Sequence, residues 1–317
     1  MTPTDVASRL AGLVVSLLVA SVLIFLATNA LPGDIAGVLA GTNATPEQVE
    51  ALRVRLGLDR PLTVRYAEWI SGVVTGDFGT SMVTGRPVLA QILQRLGVTG
   101  WLVGLSMLVA LTVAVPLGAY AAVRRHHVGG FVASSASQLG LALPSFWVGL
   151  WLMIIFAVML GWFPSGGYVE PSRGIGTWAR HLVLPVISLA VVQGSILARY
   201  VRSSVLEVLR EDYFRTARAM GWSTAAALWR HGRRNVAISL LTVIGLQLAT
   251  LVVGAILVEQ VFTLPGLGSR LLQAVGQRDL VLVQGIVLLL VWLVLLINFL
   301  VDLTYQAIDP RLKQGAM

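Results

Sequence analysis

Six runs of apolar residues, each twenty or more long, leave this chain few ways to fold. They lie at roughly Leu10 to Leu31, Val98 to Val123, Phe131 to Leu160, Leu182 to Leu206, Val236 to Val258 and Val281 to Leu303. A helix needs about 20 residues to cross ~30 Å of hydrocarbon. Inside lipid every backbone N–H and C=O must find an internal partner, which restricts such runs to helices. Composition agrees: 56% of residues are hydrophobic and 12% charged, with a mean hydropathy of +0.81. That is more apolar than a soluble domain of this length requires. The reading is an all-α integral membrane protein with six transmembrane helices.

The first run exceeds a secretory apolar stretch and is preceded only by Arg9 among basic residues, so an uncleaved anchor is expected. Basic residues then orient the bundle. With both termini inside, Arg9, Arg124, Arg125, Arg199, Arg202, Arg210, Arg215, Arg218, Arg230, Arg233, Arg234, Arg311 and Lys313 fall on one side, against Asp5, Glu207, Glu211, Asp212 and Asp309. The outer segments hold ten basic residues and nine acids, so the formal charge of +8 is almost wholly an inside charge. No nucleic-acid partner is needed to explain it.

Three divisions follow: an N-terminal transmembrane helix (1–31), an extracytoplasmic subdomain (32–97) and a five-helix membrane domain (98–317). In the subdomain, Thr45 as N-cap, Pro46 at the first helical position and Gln48 at the third spell a capped helix, with Val49, Leu52 and Leu56 at helical spacing. Gly72, Gly76, Gly79 and Gly85 mark turns after it.

The stretch from Arg210 to Asn235 is too charged for lipid and too patterned for a slack loop. Glu211 and Asp212 suit a helix start and Gly221 its stop. Ser223 or Thr224 then caps a second short helix through Trp229. Tyr213, Ala217 and Met220 share one face of the first helix, Arg215 and Arg218 another.

Catalytic motifs are missing. A phosphate-binding loop needs its lysine, and the only lysine is Lys313. The four histidines, His126, His127, His181 and His231, show no metal-binding spacing, and no cysteine is present. The reading is a chain with no catalytic residue, metal or cofactor of its own. The membrane runs contain Gln138, Gln193, Gln247, Gln284 and Asn298, which serve either interhelical hydrogen bonds or a polar translocation path. No charge sits mid-span, against the ion-coupled route that a stand-alone carrier would use. Glu259 and Asp302 lie near segment ends, where interfacial solvation or ion pairing accounts for them.

Eight stretches, in order along the chain, carry a family likeness: LPGD (Leu31 to Asp34), ATPEQVEALRVRLGLDRPL (Ala44 to Leu62), GDFGTS (Gly76 to Ser81), GRPV (Gly85 to Val88), LPSFWVGL (Leu143 to Leu150), EDYFRTARAMG (Glu211 to Gly221), FTLPGLG (Phe262 to Gly268) and VDLTYQAIDPR (Val301 to Arg311). The chain resembles the inner-membrane permease subunits of ATP-binding-cassette importers, in particular the dipeptide/oligopeptide permease family. That resemblance implies half of a pathway for di- or oligopeptides, with nickel or glutathione as alternative cargo. It also implies a second permease subunit, ATPase subunits that hold ATP and magnesium, and an extracytoplasmic substrate-binding protein beside a scoop formed by residues 32–97. By the same resemblance Glu211, Asp212, Tyr213, Phe214, Arg215, Thr216, Ala217, Arg218, Ala219, Met220 and Gly221 form the coupling element docked on an ATPase. The general importer pattern Glu-Ala-Ala, three residues, Gly is here Arg215, Thr216, Ala217 and Gly221, and Arg233 and Arg234 replace a common Leu-Pro. Both departures resemble the peptide branch.

Overall fold

The computed structural model describes residues 3–30, 35–41 and 43–308. The LPGD stretch and the end of the C-terminal stretch, with Arg311 and Lys313, lie outside the described residues. Helices make up nearly everything, and one isolated bridge, Thr80 to Pro87, is the only extended pairing among the described residues. In chain order the helices are α1 (Pro3–Asn29), α2 (Ile35–Ala40), α3 (Pro46–Arg55), α4 (Leu62–Thr75), α5 (Val88–Val123), α6 (Val128–Ala142), α7 (Ser145–Leu152), α8 (Ile175–Val208), α9 (Asp212–Ala219), α10 (Thr224–Ala227), α11 (Arg233–Val261), α12 (Leu267–Gly276) and α13 (Leu280–Ile308).

Five of the six apolar runs are single helices long enough to cross a membrane, as expected. The run from Phe131 to Leu160 departs from a continuous rod. It consists of α6 and α7 bent by 102°, with α7 continuing as a π-helical turn over Met153–Met159. The cause is Pro144, which has no N–H to give and drives the preceding Leu143 into extended conformation, φ −95° and ψ 128°. The described residues therefore supply five rods, and a sixth span only where the bent pair crosses as one.

The chain divides into two compact units. One comprises Val98–Gly268 and the chain from Leu296 onward; the other comprises Thr2–Gly97 and Ser269–Leu295. In the first, α8 is the most buried span. Leu182, Leu189 and Leu197 of α8 pack with Leu102 and Ala110 of α5, with Leu251 and Ala255 of α11, and with Phe262. Between helices in lipid there is little hydrophobic drive, so close packing and interhelical hydrogen bonds must hold them. One such bond joins Thr99 Oγ1 of α5 to Glu259 Oε1 of α11 at 2.6 Å. Glu259 has no exposed surface, so the expected interfacial solvation is corrected: the carboxylate sits beneath the turn that follows α11. Thr99 Oγ1 also accepts from Leu267 N at 2.9 Å, and Gly266 lies so close that a Cβ there would stand 2.1 Å from the carboxylate.

The second unit contains α1, α3, α4 and the first half of α13. The expected capping box of α3 is present: Thr45 Oγ1 accepts from Gln48 N, and Gln48 Oε1 accepts from Thr45 N at 3.0 Å. Gly72 was expected at a turn but lies within α4, whose stop comes at Gly76. Phe25 of α1 packs edge-on to Tyr66 of α4 and stacks with Trp69, and the Ser21 and Tyr66 hydroxyls are 2.8 Å apart. Gln284 of α13 donates to Thr28 Oγ1 at 2.8 Å. Asp279, fully buried, precedes α13 and accepts from Leu282 N, from Met82 N at 3.1 Å and from the Ser81 hydroxyl.

Candidate coupling site

Local sequence builds the site's first half. Asp212 opens α9, where the positive end of the helix dipole favours an acid. After Ala219 the chain reverses: Gly221 N donates to Arg218 O at 3.1 Å and Trp222 N to Ala217 O at 3.2 Å, the paired bonds of a Schellman stop. Gly221 has φ +90°, a left-handed conformation costly for a residue with a Cβ. Arg218 also donates to the Trp222 carbonyl, so it is spent on the turn itself.

Ser223 caps the next segment, its Oγ accepting from Ala226 N at 3.2 Å. The expected short second helix ending at Trp229 is corrected here. Only α10 is a short α-helical piece; it passes into a π-helical turn over Leu228–Gly232 and then into α11 without a loop. The candidate coupling segment is thus one short separate helix, a glycine reversal and the extended start of a membrane helix.

The faces also differ from the expected ones. Phe214 (4% exposed) and Ala217 are buried with Val208 and Ala227, while Leu209, Trp222 and Leu228 pack around them. Ala217 therefore does not share an outward face with Tyr213 and Met220. What remains outward and apolar is Tyr213 (38% exposed), Met220 (67%) and Trp229 (71%). Tyr213 is held by Asn235, whose Nδ2 donates to the phenol oxygen at 3.0 Å. Arg233 lies over the Trp229 ring at 5.5 Å and Arg230 over Trp222 at 5.3 Å. Arg215 reaches Asp212 at 3.4 Å in an exposed pair of little energetic weight. Glu211, Thr216 and Ala219 are exposed. Exposed aromatic and Met side chains set among arginines have a composition that suits a docking surface.

The five polar membrane residues fall into separate settings. Gln193 of α8 donates to Thr250 Oγ1 of α11 at 3.3 Å, and that hydroxyl reaches Gln247 Oε1 at 3.3 Å. Gln193 Oε1 is buried with no hydrogen-bond partner among the described residues. Gln284 belongs to the other unit, tied to Thr28. Gln138 is exposed on α6 and Asn298 half-buried on α13. Asp279 was missed by sequence reading. An acid just before a long apolar helix is the N-cap signal that could have found it.

Residues 114–314 match the family described as binding-protein-dependent transport system inner membrane component, and residues 5–103 match its N-terminal counterpart. A probable peptide ABC transporter permease protein, y4tP, of Sinorhizobium fredii is 41% identical over 308 residues, covering 96% of this chain and 97% of that protein. The glutathione transport system permease protein GsiC of Salmonella typhi is 42% identical over 308 residues, covering 97% and 98%. The fold also resembles a chain of the MetNI methionine ABC transporter in an inward-facing crystal form. That match has a TM-score of 0.56 and 21% identity, over 70% of this chain and 97% of that one.

Proposed function

Because this chain belongs to the family of inner-membrane components of binding-protein-dependent transport systems, we propose that it forms half of the pathway by which an ATP-binding-cassette importer carries di- and oligopeptides across the membrane. Supporting the cargo is 41% identity, over nearly the whole length, to a permease named for peptides. A similar likeness to a glutathione permease keeps that γ-linked tripeptide as the second reading. ATP and magnesium belong to separate ATPase subunits, a second permease completes the pathway, and a binding protein delivers cargo to residues 32–97 on the outer face.

The observation that carries the mechanism is the α9 reversal at Gly221. Nucleotide-driven closure on another subunit must reach the bundle through a stiff contact. Here α9 and its C-cap present Tyr213 and Met220 outward, anchor inward through Phe214, and lead through Ser223 and α10 into α11 without a loop. Force applied at α9 is therefore delivered to a membrane helix without an intervening slack loop. The Gln193–Thr250–Gln247 cluster between α8 and α11 supplies polar groups where that motion would be felt.

The test is uptake in a strain lacking this chain. Loss of di- and oligopeptide uptake, restored only when the cognate ATPases are also present, supports the reading. Intact peptide uptake with loss of glutathione import transfers the assignment to the second.

A further inference from the structure

A cleft of about 270 Å³ opens in the second unit, walled by Phe25 of α1 and by Arg65, Glu68 and Trp69 of α4, with Arg60 and Asp77 at its polar margin. Its charges are unequally used. Arg60 and Glu68 satisfy one another at 2.7 Å. Asp77 accepts Gly79 N through Oδ1 at 2.8 Å, and its other oxygen accepts nothing among the described residues. Arg65 is half-buried and its guanidinium makes no side-chain hydrogen bond or ion pair among the described residues. Burial lowers its pKa, because the surroundings withdraw water from the cation. A desolvated guanidinium with no ion pair among the described residues is unfavourable unless something negative reaches it, and its planar fork suits a carboxylate.

The structure assigns this cleft, we infer, to a small zwitterion of the amino-acid or short-peptide class. The free carboxylate is received by Arg65, the ammonium group by Asp77, and the apolar part lies against Trp69 and Phe25. The ligand class rests on the peptide reading above; the site itself rests on a cation and a half-used carboxylate left open by the described residues, and on the aromatic wall, within one cleft.

The experiment uses the full chain in lipid nanodiscs and measures binding of alanyl-phenylalanine and of its C-terminal amide by calorimetry. Wild type is expected to prefer the free acid by about tenfold or more, the scale of a charge-assisted pair. Arg65→Gln should erase that preference by weakening the acid alone, and Arg65→Lys should restore part of it. Arg65→Gln breaks no side-chain hydrogen bond or ion pair among the described residues, so the fold should persist, and an undiminished melting temperature verifies this. Equal binding of acid and amide by wild type, no binding of either, or a preference that survives Arg65→Gln overturns the assignment. Uptake of alanyl-phenylalanine by cells carrying the complete importer separates the two readings. Uptake without an Arg65-dependent site removes the cleft and leaves the transport reading. An Arg65-dependent site without uptake removes the transport reading alone.

Discussion

Thr99 donates its hydroxyl to the Glu259 carboxylate at 2.6 Å, both side chains being buried, across 160 residues of sequence. The same oxygen accepts Leu267 N, so one threonine ties α5, α11 and the start of α12. Thr99→Val keeps the shape and deletes both roles. A loss of about 1–3 kcal/mol is expected for the buried carboxylate left short of a donor. Thermal unfolding in detergent measures it, with Thr99→Ser as the near-neutral control; a Val variant melting with wild type would sink the claim.

At Gly221 the prediction concerns coupling. A β-branched residue forced to φ +90° costs on the order of 1–2 kcal/mol or shifts the turn. Gly221→Val should insert normally yet lose substrate-stimulated ATP hydrolysis in the reconstituted importer. Full stimulation would remove α9 from the coupling path.

Neighbouring aromatics should behave oppositely. Phe214 is packed among Val208, Ala217 and Ala227, so Phe214→Ala opens a cavity, costing about 3–5 kcal/mol if the site resembles a core. Lower expression and a lower melting temperature are the readouts. Tyr213→Ala with Met220→Ala alters exposed positions, where stability should change by roughly 0.5 kcal/mol or less. That double variant should instead fail to retain ATPase subunits in pull-down. Equal retention would show that the exposed face is not the docking surface.

Topology is open to direct chemical test because the chain contains no cysteine. Thr63→Cys, on exposed α4, should react with an impermeant maleimide added outside intact cells, and Ala219→Cys only after lysis. Both reacting from one side would mean that the bent pair α6–α7 does not cross.

Sequence by itself determined whatever depends on neighbours along the chain. Apolar runs of twenty or more residues dictated helices, because a continuous run of that length satisfies its backbone in lipid within itself, whereas barrel strands are short and alternating. The Thr45–Gln48 capping box and the Gly221 stop were legible because each closes within a few residues. Tyr213 and Phe214 stand side by side, and only packing against Val208 and Ala227 decided which turns inward. Likewise, Pro144 marks a possible break in any apolar run, but the 102° bend is an outcome of the folded chain. Glu259 reads as an interfacial acid until Thr99 arrives from 160 residues away, and Asp279 as a loop acid until Ser81 arrives from 198. Desolvation makes a buried carboxylate tolerable only when its donors converge on it. Convergence over such separations belongs to the tertiary structure alone.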